Sequence, residues 1–293
     1  MNEIFGVPVS ALASQLLLGL MTGSFYALLS LGLAIIFGLL NVINFLHGAQ
    51  FMMGAFVAWM LLNWFGIGYW YALVAAPAVV AVFGVLIERT LLRHLYRLDH
   101  LYGMLLTFGL TLLVEGLFRK RFGSSGLPYA NALPGGFDAG LMFVPYYRAW
   151  VVVLSLAVCL STWMLIERTK LGSYLRAATE NPQMVRAFGI NVPLLFTLTY
   201  AVGTGLAALA GVMAAPIYQV SPLMGSNLVV LVFAVVVIGG MGSILGSILT
   251  GFGLGVIEGL TKVFYPEAST VVIFVVMVLV LMVRPSGLFG KQK

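Results

Sequence analysis

Apolar residues in this chain come in long runs, and the polar positions between them follow neither the alternation of a strand nor the one-sided stripe of a surface helix. The runs fall at 11–37, 48–65, 70–91, 101–118, 148–166, 193–215, 227–258 and 269–284. Most are about 18–25 residues, the length a helix needs at about 1.5 Å per residue to cross a hydrocarbon core of about 30 Å. The alternating ten-residue segments of a membrane barrel are missing. The pattern predicts an all-α fold, a polytopic transmembrane helical bundle of about eight spans. The seventh run is too long for one crossing, and Gly239, Gly240 and Gly242 interrupt it. Each glycine weakens a helix by about 1 kcal/mol relative to alanine, so a broken helix or re-entrant segment is expected there. Lipid tolerates such a break only where protein covers it or it lines a cavity.

A second interruption lies between the first two runs, where residues 41–50 read NVINFLHGAQ. Asn41, Asn44, His47 and Gln50 bring amide and imidazole groups into a stretch flanked by apolar residues. Such groups are costly in lipid unless buried in protein or facing a wet path. Two readings stand side by side: the four side chains touch a polar solute along a translocation path, or they bond to neighbouring helices and hold the break in shape. Together with Gly239, Gly240 and Gly242 they are the candidate path residues.

Composition agrees with a membrane protein: 61% hydrophobic, 8% charged, mean hydropathy +1.08. The net charge of +6 is read as loop cations that set orientation, not as a nucleic-acid surface. Arg89, Arg93 and Arg97 follow the third run, and Arg168, Lys170, Arg176 and Arg186 follow the fifth. Two crossings separate the clusters, so they share one side, taken as cytoplasmic, with the N-terminus outside. Arg119, Lys120, Arg121 and Arg148 fall on the other side. The N-terminus lacks the basic flank of a cleaved signal, so the first span is expected to drive insertion and stay. The one cysteine, Cys159, lies within an apolar run and is expected to be inert packing.

No Asp, Glu, Lys or Arg stands at the centre of a run, where each costs at least about 2.5–3.5 kcal/mol. Glu115 and Glu258 are read as the acids within apolar runs, each near enough to an end for its side chain to reach the interface. Without a mid-membrane carboxylate, ion coupling lacks its usual anchor, and the driving energy is expected from elsewhere. Catalytic and metal-binding patterns are missing too, as is any GxxxxGK[ST] phosphate loop. The chain is therefore not expected to be an enzyme or to hold a cofactor or metal, and any ATPase would be a separate subunit.

The stretch 171–192 is the most structured loop. Asn181 suits an N-cap, Pro182 the first helical position and Gly189 a left-handed stop, giving a capped helix of about two turns. Met184 and Phe188 share one face with Val185 beside them, while Gln183 and Arg186 point elsewhere. So short a helix needs a surface, either the lipid headgroups or a groove on a cytoplasmic ATPase. The loop 122–147, rich in Gly, Pro and Tyr, reads as an ordered polar cap. Glycines recur at Gly19 and Gly23 and again at Gly251, Gly255 and Gly259, a pattern that lets helix backbones approach closely. The segments 37–55 and 238–255 share a layout of apolar run, glycine-containing break and small-residue helix, which hints at two structural repeats.

GLLNVINFLHG (38–48), RAATENPQMVRAFGI (176–190) and GGMGSILGSILTG (239–251), with YALLSLGLAIIFG (26–38) and MVRPSGLFG (282–290), together resemble the permease subunits of ABC importers for branched-chain amino acids, of the LivH type. The resemblance runs over nearly the whole chain in order. Leu46 departs from it, since the family more often has a small residue before the histidine. The resemblance implies one permease domain over 1–293 in a bacterial inner membrane. It also implies a second related permease, two cytoplasmic ATPase subunits and a periplasmic substrate-binding protein. Residues 176–189 would be the ATPase-contacting loop, with Arg176, Glu180, Asn181, Pro182, Met184, Val185, Arg186, Phe188 and Gly189 as its working positions, and residues 41–50 would lie near the path. The function expected is ATP-driven import of branched-chain or related amino acids. The alternatives are an ion-coupled secondary carrier or a relative for urea or short amides.

Overall fold

The structure, a computed structural model, describes residues 3–4, 6–40, 42–96, 98–140 and 142–290. Asn41 and Arg97, both singled out by sequence, lie outside the described residues. The chain is helical almost throughout: α1 Val9–Leu40, α2 Leu46–Phe65, α3 Tyr69–Leu95, α4 His100–Phe122, α5 Tyr146–Arg168, α6 Lys170–Glu180, α7 Pro182–Ala187, α8 Val192–Ala214, α9 Ser226–Gly239, α10 Ile244–Phe264 and α11 Val271–Val283. Seven of these, α1 to α5, α8 and α10, are long and apolar enough to cross a membrane. The chain is a multi-pass membrane protein.

Hydrocarbon leaves the backbone no water to bond, so helices that satisfy their own amides are the available form. At 32 residues, α1 is about 48 Å long, well beyond the thickness of the core. Residues 23–36 of α1 and 46–58 of α2 are buried on every side, as expected of helices that are apolar all round and lie inside a bundle. By contrast, α3, α4 and α5 leave Val74, Val82, Leu105, Leu112 and Val153 exposed, the side chains lipid would cover.

The long seventh run divides as its glycines predict. Helix α9 stops at Gly239 after 14 residues, and α10 starts at Ile244, where Ser243 caps it by accepting from Gly246 N at 3.1 Å. Gly240 and Gly242 take φ of +101° and +85°, which only glycine adopts without strain. The last run is shorter than read: α11 has 13 residues, about 20 Å of helix.

Backbone proximity groups the chain into two compact units, one of Met1–Ser30, Asn131–Cys159 and Leu231–Lys293, the other of Leu31–Ala130 and Leu160–Val230. In the first, the glycine seam joins α1 to α10. A Cβ on Gly19 would lie 2.6 Å from the Gly255 carbonyl oxygen, and one on Gly251 would lie 2.6 Å from the Ala27 Cα. The same unit holds the hairpin β1 Gly136–Asp138 and β2 Phe143–Pro145, paired Phe137 to Val144, within the loop read as an ordered cap. In the second unit α8 packs against both α2 and α3. There Gly48 faces the Gly225 carbonyl so closely that an added Cβ would come within 2.7 Å of it.

Neighbouring glycines of α10 differ sharply in what surrounds them. Gly251 is pressed on α1, whereas a Cβ on Gly253 meets nothing within 4 Å. Gly251→Leu is expected to lower thermal stability in detergent by at least about 1–3 kcal/mol through overpacking, and Gly253→Ala to stay within about 0.5 kcal/mol of the parent. Equal effects at the two positions would contradict the seam.

Candidate functional site

The polar break of residues 42–45 has no helical bonding of its own, and α4 supplies what is missing. Thr107, fully buried, accepts from Phe45 N at 3.2 Å and is placed to donate to Ile43 O at 3.2 Å or to Met104 O at 3.1 Å. One hydroxyl thus serves two unwound peptide groups, the condition for irregular backbone inside a bundle. Nothing in the sequence marks Thr107, because a lone threonine in an apolar helix carries no signal of its own.

The side chains of the break turn inward. Asn44, His47 and Gln50 are all buried. Asn44 Nδ2 donates to Gln50 Oε1 at 3.4 Å, and Gln50 Nε2 donates to the hydroxyl of Tyr200 at 3.4 Å. Tyr200, a fully buried residue of α8, was not among the sequence candidates. Asn44 Oδ1 has no partner among the described residues, and leaving a buried acceptor unmet costs about 1–3 kcal/mol. The His47 ring lies against Gly32 of α1, where a Cβ would come 3.0 Å from its Cε1. A partly polar cavity of about 120 Å³, lined among others by Leu40, Val42, Tyr96, Asp99 and His100, borders the break. The structure therefore brings Asn44 and Gln50 into one occluded polar cluster and places His47 at the same end of α2.

The glycine break is closed by the chain itself. Leu288 N donates to Ile238 O at 2.8 Å, and Phe289 N donates to Gly239 O at 3.1 Å. The last carbonyls of a helix need such partners, and the tail motif provides them. Gly239 and Gly240 are thus covered by residues 284–290, with Gly240 and Gly287 nearly touching, whereas Gly242 is exposed. The break at 42–45 and this one lie in different units, and each is a helix end, an unwound turn and a new helix.

The loop after α5 contains one helix more than expected. The amphipathic α6 precedes α7, and Arg176 of α6 pairs with Glu167 at 3.1 Å and reaches Ile166 O at 3.4 Å. The caps of α7 are as read: Asn181 Oδ1 accepts from Met184 N at 3.0 Å, Pro182 opens the helix, and Gly189 follows it at φ +78°. The faces differ from the reading. Met184 and Phe188 are 59% and 75% exposed, but Val185 points the other way and packs with Ala178 and Val192 against Ile190 and Phe196. Val185 is an anchor, not part of the exposed pair. Glu180 and Arg186 are exposed. The loop also grips the end of α1, since Thr179 Oγ1 lies 3.1 Å from Leu39 O.

The carboxylates correct the sequence reading most. Glu115 and Glu258 do not reach outward to an interface; both are buried. Glu115 accepts from the Ser226 hydroxyl. Glu258 accepts from Tyr26 OH at 2.7 Å and from Lys262 Nζ at 2.6 Å. A third acid, Glu88, was passed over at the end of its run, and it is 1% exposed. It accepts from Thr197 Oγ1 at 2.7 Å and from Tyr96 OH at 3.0 Å. Burial, and then the neighbouring Glu88, push the Tyr96 hydroxyl up from its ordinary pKa, which keeps it a donor.

A family model described as branched-chain amino acid transport system / permease component matches residues 15–281. The chain is 32% identical over 294 residues to the high-affinity branched-chain amino acid transport system permease protein BraD of Pseudomonas aeruginosa, covering 95% of this chain and 96% of that one. It is 29% identical to the corresponding permease protein LivH of Escherichia coli K12 at the same coverage. It is also 29% identical over 290 residues to LivM of that organism, covering 90% of this chain and 67% of LivM. No solved structure matches the chain.

Gln50 stands between Asn44 and Tyr200 and serves both. Gln50→Leu should lower thermal stability in detergent by about 1–3 kcal/mol, since it strands two buried partners, whereas Tyr200→Phe, which removes one bond, should cost about 1 kcal/mol. An unchanged melting temperature in Gln50→Leu would show that the cluster is not bonded as described.

Proposed function

The chain belongs to the branched-chain amino acid transport permease family, and from that premise we propose that it is a membrane-spanning subunit of an ATP-driven importer for branched-chain amino acids in a bacterial inner membrane. All 293 residues serve as one permease domain. It pairs with a second, related permease, as the relationship to both LivH and LivM supports. Two cytoplasmic ATPase subunits work it, and a periplasmic binding protein delivers the solute. The family is a transport component, and the chain contributes no catalytic step.

The observation that carries the ATP-driven reading is the loop of α6 and α7. A six-residue helix with a hydrophobic face turned outward is unstable by itself, yet this one is capped at its start, stopped by Gly189 and anchored from behind by Val185. Phe188 and Met184 are thereby presented on a firm base, the form of an element that enters a groove on a partner. The positive residues of residues 168–186 support a cytoplasmic location for that face. Movement of the docked loop opens and closes the path at the polar break, where Asn44, His47 and Gln50 stand buried, with the glycine break at 239–242 as the second flexible point.

Phe188→Asp places a charge on the docking face without touching the buried anchor. With the importer reconstituted from all its subunits, this variant should insert normally, retain ATPase subunits poorly and transport leucine at least about tenfold more slowly, the loss of about 1.4 kcal/mol or more of coupling. Normal uptake by that variant would sink the docking assignment. Accumulation by the purified chain alone under an ion gradient would instead favour a secondary carrier.

A further inference from the structure

Glu88 sits where three parts of one unit meet, and neither the family relationship nor the proposed docking loop accounts for it. Its carboxylate is buried with no ion pair among the described residues; its partners are two hydroxyls, Thr197 of α8 at 2.7 Å and Tyr96 at 3.0 Å. Removing a carboxylate from water is expensive even with good hydrogen bonds, so two neutral donors are a poor reason to keep an acid here for stability alone. The backbone at this point is also irregular: α3 changes to π geometry over Glu88–Leu92, a local distortion that recurs at functional sites.

The surroundings of Glu88 join the loop to the polar break. On one side, the Tyr96 ring meets Phe196 edge to face at 6.2 Å, and Phe196 packs on the cluster of Ala178, Val185 and Val192 through which α7 is anchored. On the other side, Thr197 lies on α8 one turn before Tyr200, and Tyr200 accepts from Gln50, which in turn is bonded to Asn44. Helix α8 is a rigid rod between the two ends, since tightly packed helices move as bodies and do not deform continuously. A displacement of α7 pushes on Phe196 and so on α8. Close packing, as of Gly84 on Thr204, already holds α3 and α8 together, and Glu88 adds the hydrogen-bonded tie that fixes how one moves with the other.

We propose that Glu88 is a positioning residue that converts movement of the α6–α7 loop into movement of the polar break, by holding α3 to α8 through Thr197 and Tyr96. The inference rests on the ATP-driven reading and adds to it a residue that touches neither the ATPase nor the solute.

The complete importer in proteoliposomes tests it, reading leucine taken up per ATP hydrolysed, subunit assembly and thermal stability. Glu88→Gln, close in shape to the parent, is expected to assemble fully and to keep basal ATP hydrolysis within about twofold, while uptake per ATP falls at least about tenfold. Thr197→Val should fall in the same sense, and the double variant should be no worse than Glu88→Gln alone, because both remove one tie. An unchanged uptake per ATP in Glu88→Gln overturns the proposal. So does a loss of uptake and hydrolysis together in proportion to a loss of folded protein, which would make Glu88 merely structural. If the unsubstituted complex takes up leucine with an ion gradient and not with ATP, the importer reading falls and this inference with it.

Discussion

A peptide group inside hydrocarbon has no water to fall back on, and in this protein two described breaks between helices are each met by a bond from somewhere else in the chain. The break before α2 leans on one threonine of α4, Thr107. The break between α9 and α10 leans on the tail, whose Leu288 and Phe289 amides close the open carbonyls of Ile238 and Gly239. Both points are flexible in covalent terms and held in place by a few hydrogen bonds. That combination suits an element that must change shape without exposing its backbone to lipid.

The same constraint governs the side chains. The buried carboxylates Glu88, Glu115 and Glu258 each take a hydroxyl from a distant part of the chain, and among the described residues Glu258 alone of the three also has an ion pair. Asn44, Gln50 and Tyr200 form a short line of bonds that leaves Asn44 Oδ1 unmet among the described residues. An unmet buried acceptor within an otherwise bonded cluster is a point where a competing partner gains. It lies beside the unwound turn, where the backbone is also most easily rearranged. The exposed Phe188 and the buried Asn44 belong to one unit, and α8 joins them through Phe196 on the anchor of α7 and Tyr200 in the polar cluster.

Much of this was legible in the residues. The spans follow from apolar length alone, and the two breaks from amides in one place and glycines in the other. The caps of α7 follow from Asn181, Pro182 and Gly189, whose roles are local and need no knowledge of what lies across the fold. What could not be read depends on partners far away in sequence. Val185 was placed with Phe188 by helical spacing, but the small cluster of Ala178 and Val192 draws it inward. Nothing local marks Glu88 at the end of its run, and its role depends on Thr197, 109 positions on and bonded to it. Thr107, Tyr200 and the tail carry no motif that marks them as covers for a break. Their assignment needs the third dimension.

In the proposed importer the polar cluster at the break is closed at rest and opened by the ATPase. Asn44→Cys in a Cys159→Ser background, assembled with all subunits in proteoliposomes, measures this directly through its reactivity with a membrane-impermeant maleimide. Labelling should be slow without nucleotide, since Asn44 is fully buried, and faster by at least about tenfold when the ATPases are trapped in their closed state. Equal labelling in the two states would contradict it.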